Sequence, residues 1–183
     1  MGFTTATTSF VRRLIAAMTL DAALYEEVEA DTGATAQACA VVVLSSLAAG
    51  VGARGLGGAK LSSVAFFSIT ALVAWAAWSF VTFEIGTRLL PEPQTRADVG
   101  ELLRTIGFAS TPGLLRVFGI IPGVTIPVFA VSSVWMLLAM IVAVRQALDY
   151  TSTARAIAVC GLGWAIAIAM AVVLGLLFGP TVS

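Results

Sequence analysis

Residues 125–144 read TIPVFAVSSVWMLLAMIVAV, twenty residues without a charged side chain. An α-helix needs about twenty apolar residues to cross the hydrocarbon core of a bilayer. Three further stretches, residues 34–51, 61–83 and 156–178, are also uncharged and of similar length. Their apolar residues are continuous instead of alternating, which favours helices over barrel strands. The four stretches predict an all-α fold, a polytopic transmembrane helical bundle.

A fifth apolar stretch, residues 99–121, differs from these four because it contains charges. It carries Glu101, Arg104 and Arg116, and Pro112 interrupts it. Only eleven residues separate the two arginines, a length that by itself suggests a re-entrant or buried segment. Long charged side chains near the end of a span can reach the interface, however, so the stretch is also compatible with a crossing.

The distribution of basic residues decides between these alternatives, because cytoplasmic loops are enriched in arginine and lysine. With five spans and a cytoplasmic N-terminus, seven arginines fall on the cytoplasmic side. They are Arg12, Arg13, Arg88, Arg96, Arg104, Arg145 and Arg155. The opposite side receives Arg54 and Lys60. With four spans this bias largely disappears, so we predict five spans, a cytoplasmic N-terminus and an external C-terminus.

The composition leaves no room for a separate soluble domain. The chain has 183 residues, 59% of them hydrophobic and 11% charged, with a mean hydropathy of +1.00. Soluble domains contain about 25% charged residues. We therefore predict one five-helix transmembrane domain, residues 34–183, preceded by an N-terminal segment, residues 1–33. The net charge is zero, which argues against a nucleic-acid partner and leaves the lipid bilayer as the first partner.

The N-terminal segment is predicted to form an amphipathic helix. Ser9 can cap a helix on which Phe10, Leu14 and Met18 form one apolar stripe, and Asp21 can cap a second, acidic stretch. Such a helix before a membrane span commonly lies in the interface. Packing on the cytoplasmic loops is the alternative, and both remain open. The acidic stretch suits a protein partner or the basic loops better than anionic lipid.

The residue types needed for catalysis or metal binding are scarce. Histidine is absent, and the two cysteines, Cys39 and Cys160, fall inside predicted spans. A cysteine in a span is commonly a small packing residue. The sequence contains none of the common hydrolase, metalloprotease or nucleotide-binding motifs in a suitable context. We therefore predict no catalytic residues, no metal, no cofactor and no enzymatic activity.

Small residues recur at four-residue spacing along the last predicted span. They are Gly163, Ala167, Ala171, Gly175 and Gly179. Four-residue spacing places them on one helix face, where small side chains let two helices approach closely. The contact could lie within the chain or between copies or partner chains, and the sequence leaves both open.

Charged residues at the predicted cytoplasmic surface are candidates for ion pairs. Glu101 and Arg104 share a helix face because they are three residues apart. Glu84, Arg145 and Asp149 end neighbouring spans on the same side. We expect these five residues to form a ring of ion pairs, either as a structural clamp or as the entrance of a substrate path.

Arg116 is the most unusual candidate because no acidic residue is predicted at its depth. It could extend to the external headgroups, bond carbonyls freed by Pro112, or bind an anion or a partner chain. Arg116, Pro112, Glu101 and Arg104 together form the candidate intramembrane polar or partner site.

The order of several short sequences resembles bacterial members of the Yip family of Ypt/Rab-interacting membrane proteins. They are LDAALYEEV (20–28), ATAQA (34–38), GFASTPGLL (107–115), IP (121–122), Trp135 and TARAI (153–157). The resemblance implies five spans with a cytoplasmic N-terminus. Eukaryotic relatives contact small GTPases through an Asp-Leu-Tyr-Gly-Pro motif. Here Glu26 and Glu27 follow Tyr25, so the GTPase role is not carried over.

Two functional hypotheses follow from the sequence. The first is a scaffold or accessory subunit of the bacterial cytoplasmic (inner) membrane that acts through helix–helix association, with a protein partner or as a homo-oligomer. The second is a small transporter or permease component that uses the broken third span, although transporters often show paired broken helices and only one break is evident here.

Overall fold

The structure is a computed structural model that describes residues 2–56 and 64–178, with side chains for residues 9–54 and 69–169. Its described part contains seven α-helices and no strand. The helices are α1 (Gly2–Met18), α2 (Ala22–Ala30), α3 (Ala34–Gly52), α4 (Val64–Glu84), α5 (Val99–Ala109), α6 (Thr125–Ala147) and α7 (Thr153–Phe178). A π-helical turn, Ile85–Leu89, extends α4, and 3₁₀ segments follow α3 and α5.

The prediction of an all-helical fold is confirmed for the described residues. Three described helices are long and apolar enough to cross a bilayer, namely Ala34–Gly52, Ile69–Leu89 and Thr125–Ala147. Helix α7 has 26 residues, and its part Thr153–Ala169 is also apolar. The predicted bounds of these spans agree with the helices within a few residues, except that residues 61–63 lie outside the described part. The count of five spans is not confirmed.

The third predicted span is not one continuous α-helix. Helix α5 ends at Ala109, and the chain continues after Ser110 as a 3₁₀ helix, Thr111–Ile120. Pro112 lies at the start of the 3₁₀ helix, where its missing N–H and its ring prevent continuation of the α-helical hydrogen bonds. A 3₁₀ helix of ten residues is long, since such runs rarely exceed three or four residues.

The two halves of this broken segment nevertheless follow α3 along its length. A Cβ added to Gly107 would clash with Ala38, and one added to Gly113 would clash with Ser45. Near the end of α3, Gly119 lies against Gly52. Residues 38–52 of a helix cover about 21 Å. The broken segment therefore runs in the same direction as α3 and reaches both of its ends.

Helices α1 and α2 form a hairpin that packs on the long helices. Leu24, Tyr25 and Val28 of α2 are buried in a core with residues of α3, α5 and α6. At the turn of the hairpin, the indole Nε1 of Trp135 donates a hydrogen bond to the carbonyl of Met18, at 3.0 Å. The location of residues 1–33 relative to a bilayer stays a prediction.

Arg13 holds the base of this hairpin against α3. Its side chain is 8% exposed and donates hydrogen bonds to Glu27 (2.9 Å), Asp31 (2.7 Å) and the side-chain oxygen of Gln37 (2.9 Å). Arg12 pairs with Glu27 from the exposed side, at 2.7 Å. These bonds explain why α2 lies on α1, since the two arginines neutralise Glu27 of α2 and Asp31, which follows it.

Candidate functional site

The four residues of the predicted polar site lie in two separate places. Glu101 and Arg104 belong to α5, whereas Pro112 and Arg116 belong to the 3₁₀ half of the segment. The two places lie at opposite ends of α3, because Gly107 contacts Ala38 and the Arg116 carbonyl lies beside Gly52. They are therefore two local sites and not one.

Glu101 stabilises the start of α5. Its carboxylate accepts a hydrogen bond from the backbone N–H of Asp98 at 2.7 Å, and its own N–H donates to the Asp98 carboxylate at 2.9 Å. This reciprocal pair is a capping box, which satisfies two N–H groups that lack partners within the helix. Asp98 is thus the N-cap of α5, and Glu101 supplies the return bond.

Arg104 is a link between α5 and the end of α2. Its side chain is buried, and the guanidinium donates from Nε to the carbonyls of Val28 (2.9 Å) and Glu29 (3.1 Å), and from Nη2 to the Glu29 carbonyl. Helix-terminal carbonyls lack partners and carry partial negative charge, so a buried guanidinium suits them. The predicted Glu101–Arg104 pair does not form, because each side chain has these other partners.

The predicted ring of ion pairs is replaced by a polar cavity. Glu84 pairs with Arg88 at 3.1 Å, and Arg145 donates to the carbonyl of Tyr150 at 3.3 Å. A cavity of about 540 Å³ opens where α2, α5 and the end of α6 meet. Its lining contains four carboxylates, one guanidinium and one amide side chain: Glu26, Glu29, Glu101, Asp149, Arg145 and Gln146.

Glu29 is the most perturbed acid of this cavity. Burial raises its pKa to about 7, and the charges of Glu101, Asp149 and Glu26 add to the increase, while Arg104 opposes it. A carboxyl group that resists ionisation among three others keeps the local negative charge low. Among the described residues no group of His, Cys, Asp and Glu side chains could hold a metal ion. The cavity can accept protons or positive charge.

Glu92 organises the loops beside this cavity, and the sequence did not single it out. Its side chain is 7% exposed, and its carboxylate accepts hydrogen bonds from the N–H (3.0 Å) and hydroxyl (2.8 Å) of Thr151. Arg155 approaches within 3.4 Å. These bonds, led by the Thr151 N–H, lower the Glu92 pKa to about 2. The two loops are 59 residues apart, so no local sequence pattern could show this contact.

Arg116 is held by hydroxyl groups of α6. Its Nε donates to Ser132 at 3.2 Å and its Nη2 to Ser133 at 3.0 Å. The guanidinium carbon lies 5.4 Å from the centre of the Phe129 ring, a distance at which cation–π attraction operates. Carbonyls freed by Pro112, one of the alternatives that the sequence left open, are not among these partners. These serines could not be identified as partners from the sequence, because they lie 16 and 17 residues after Arg116 on another helix.

The predicted packing face of α7 is only partly buried. A Cβ at Gly163 would lie 3.0 Å from the Trp78 ring of α4, so this glycine makes an intramolecular contact. Ala167, one turn later, is exposed. The surroundings of Ala171 and Gly175, and the whole of Gly179, lie outside the described part of the chain. The buried side of α7 instead follows Ala156, Val159, Cys160 and Gly163.

Comparisons with known proteins give no further guidance. No family model matches the chain, no curated protein is detectably similar, and no solved structure matches its fold.

Proposed function

We propose that this chain is an integral membrane protein that acts by helix–helix association, as a scaffold or accessory subunit without enzymatic activity. The observation that carries the proposal is the close packing of the broken third segment on α3. Gly52, Gly107 and Gly113 leave no space for a methyl group at three levels along the helix. A segment packed so closely stabilises a rigid bundle and leaves no passage for a solute beside it.

The same contacts support a crossing by the third segment. Since α3 is long enough to span a bilayer and the segment follows it from end to end, both cross together in our proposal. With α4, α6 and α7 this gives five spans, and the arginine distribution then favours a cytoplasmic N-terminus. Placement in a bacterial inner membrane and the relationship to the Yip family remain part of the proposal, supported by the sequence resemblance alone.

The outward surface is consistent with association inside a membrane. Large apolar side chains on α4, α6 and α7 are exposed, among them Ile69, Ile126, Trp164 and Ile168. Trp164 also meets Trp78 edge to face, with ring centres 6.1 Å apart, which fixes α7 on α4. Lipid or a second membrane chain can cover such a surface, and a partner chain is what the proposal requires.

Purification in mild detergent followed by native mass spectrometry tests this function. The proposal predicts a complex that contains a second copy or another membrane protein at a fixed ratio. A monomer that never carries another chain, from membranes in which the protein is expressed at its natural level, would contradict it.

A transporter component is the second candidate, and the polar cavity beside Glu101 is the observation that favours it. The cavity would have to continue past Gly107 and Gly113, where the packing leaves no space for a methyl group. Uptake by reconstituted vesicles separates the two functions. Glu101→Gln keeps the capping box, because glutamine can replace glutamate there, so lost uptake in this variant would indicate a path. Unchanged uptake in Glu101→Gln and Arg116→Ala would exclude these residues as its lining.

A further inference from the structure

The turn between α1 and α2 lies beside the middle of α6. The carbonyl of Met18 accepts the hydrogen bond from the Trp135 indole at 3.0 Å. Trp135 is the eleventh of the twenty uncharged residues 125–144, about 15 Å along the axis from the Thr125 end of the helix. An indole extends only a few ångströms beyond its own backbone, so the turn lies near the same depth as Trp135.

The paired charges of the hairpin lie at its open end, away from this turn. Arg12 and Arg13 pair with Glu27, and Gln146, next to the C-terminal end of α6, donates a hydrogen bond to the Glu26 carboxylate at 2.8 Å. Helix α2 therefore follows α6 from its middle toward its C-terminal end. Charged side chains at that end can reach the membrane surface. The hairpin thus lies within one half of the span and not on the loops beyond it.

The last four carbonyl groups of α1 all accept hydrogen bonds within the protein. The acceptors are Ile15, Ala16, Ala17 and Met18, and the donors are the backbone N–H groups of Thr19, Leu20 and Asp21, the Thr19 hydroxyl and the Trp135 indole. A helix end in water can leave such carbonyls to the solvent. In the hydrocarbon core each carbonyl needs a partner in the protein, because lipid chains donate no hydrogen bonds. The turn meets this requirement.

The outer surface of the hairpin is apolar and continues the outer surface of α6. Val11 and Ile15 are exposed on α1, and Val131, Val134 and Leu138 are exposed on α6 beside the turn. A groove of about 710 Å³, lined almost entirely by apolar side chains, lies between the turn and α6. Contiguous apolar surface of this extent marks a contact with a membrane or another chain. Its depth along α6 favours acyl chains as the cover.

Asp21 is the acidic residue of the turn, and it has a structural role there. Its carboxylate accepts a hydrogen bond from the N–H of Ala23 at 3.0 Å and so caps α2. A cap supplies a partner to an N–H group that the helix itself leaves unpaired. Asparagine caps a helix equally well, so Asp21→Asn separates the cap from the charge.

We propose that α1 and α2 form a re-entrant helical hairpin, which enters the bilayer beside the C-terminal end of α6 and turns near the middle of the membrane. The acyl chains of that leaflet cover Val11 and Ile15 and fill the groove beside Leu20. This position differs from a helix in the interface and from a helix packed on the loops. It rests on the crossing of the bilayer by α6, which is part of the proposed function, and not on the scaffold role.

Nitroxide spin labels on single cysteines measure the depth of the turn. The background carries Cys39→Ala and Cys160→Ala, and the vesicles contain palmitoyl-oleoyl phosphatidylcholine and phosphatidylglycerol. Molecular oxygen concentrates in the hydrocarbon core, whereas a nickel chelate stays in water. The ratio of oxygen to nickel collisions at Ala22→Cys, an exposed position next to the turn, should equal the ratio at Val134→Cys on α6. Thr32→Cys, exposed between α2 and α3, is the matched control and should give a much lower ratio.

A second label at Thr19→Cys, on the other side of the turn, should give the same high ratio as Ala22→Cys, and Asp21→Asn should leave both ratios unchanged. Melting temperatures verify that the labelled variants fold. A low ratio at both turn positions with a high ratio at Val134 would overturn the re-entrant hairpin and retain the crossing of α6. A low ratio at Val134 as well would overturn the crossing, and the hairpin with it.

Discussion

The two halves of the third segment contain one arginine each, and the two arginines have opposite surroundings. Arg104 in α5 is buried and donates to carbonyls at the end of α2. Arg116 in the 3₁₀ helix is half-buried, and its acceptors among the described residues are two serine hydroxyls. The first completes the hydrogen bonding of a helix end, and the second retains a charge without a counter-ion. A charged residue in an apolar segment therefore has to be judged by its partners and not by its depth alone.

The largest expected difference in the free energy of unfolding is between Arg104→Gln and Arg116→Gln. Arg104→Gln removes the partners of buried carbonyls at Val28 and Glu29, so the free energy of unfolding should fall by about 2–4 kcal/mol. Arg116→Gln should change it by less than about 1 kcal/mol, because glutamine can still bond a serine hydroxyl. Denaturant unfolding in detergent micelles measures both values. Equal losses would break the contrast between the two halves.

Substitution of the glycines that contact the third segment should have the next largest effect on stability. Gly52→Ala would place a methyl group against the carbonyl oxygen of Arg116, which belongs to the backbone and cannot rotate away. Overpacking of this kind costs about 1–3 kcal/mol. Gly50→Ala, two residues earlier on α3, meets nothing within 4 Å and should be neutral or stabilising by up to about 1 kcal/mol. Thermal melting of the two variants compares them directly. If Gly50→Ala were destabilised as well, the loss in Gly52→Ala would come from the change in helix α3 and not from the contact with Arg116.

The cavity at the α5 end predicts a pH dependence. The Glu29 pKa is raised from 4.5 to about 7 in the folded protein, so the unfolded chain loses this proton first as pH rises. Stability should decrease between about pH 4.5 and 7 and then level off. Glu29→Gln removes the cost of ionising this half-buried carboxyl group. It should therefore raise stability at pH 8 by at most about 2 kcal/mol, since the group is only half-buried.

Below pH 4.5 the Glu29→Gln variant and the unmodified protein should have similar stability, because Glu29 is then protonated in both states. Melting curves at pH 4.5 and pH 8 provide the two values. A gain that is equal at both pH values would mean that the substitution acts through packing and not through the charge.

The capping box gives the smallest expected effect. Asp98→Ala removes the acceptor for the Glu101 N–H and should cost about 1 kcal/mol. Glu101→Gln preserves both bonds of the box and should cost less. The comparison is made by melting temperature in the same detergent. If Glu101→Gln were the more damaging of the two, the charge of Glu101 in the cavity would matter more than its role as a cap.

The sequence predicted the long helices well because each depends on a local property. The uncharged runs predicted α3, α4, α6 and α7 within a few residues, and Pro112 marked the break of the third segment. These features depend on composition and on the chemistry of single residues, both of which are visible along the chain.

The partners of the charged residues were less predictable, because they depend on helices that are distant in sequence. The spacing of Glu101 and Arg104 favoured a local ion pair, but the end of α2 offers Arg104 carbonyl groups that the spacing does not show. The contacts of Arg116 with Ser132 and Ser133 were not predicted for the same reason. Glu92 was missed because its partners lie across two loops. Local pairing rules fail where a helix terminus or a loop competes for the same side chain.

The crossing of the bilayer by the third segment, beside α3 and despite its break, is what the proposed topology depends on. Single cysteines at Arg96 and Pro122, exposed residues before and after the segment, test it in a background with Cys39→Ala and Cys160→Ala. Sealed vesicles of known orientation are treated with a membrane-impermeant maleimide, before and after permeabilisation. A crossing predicts that the two cysteines react from opposite sides of the membrane. Labelling of both from the same side would show a re-entrant segment and would contradict the crossing.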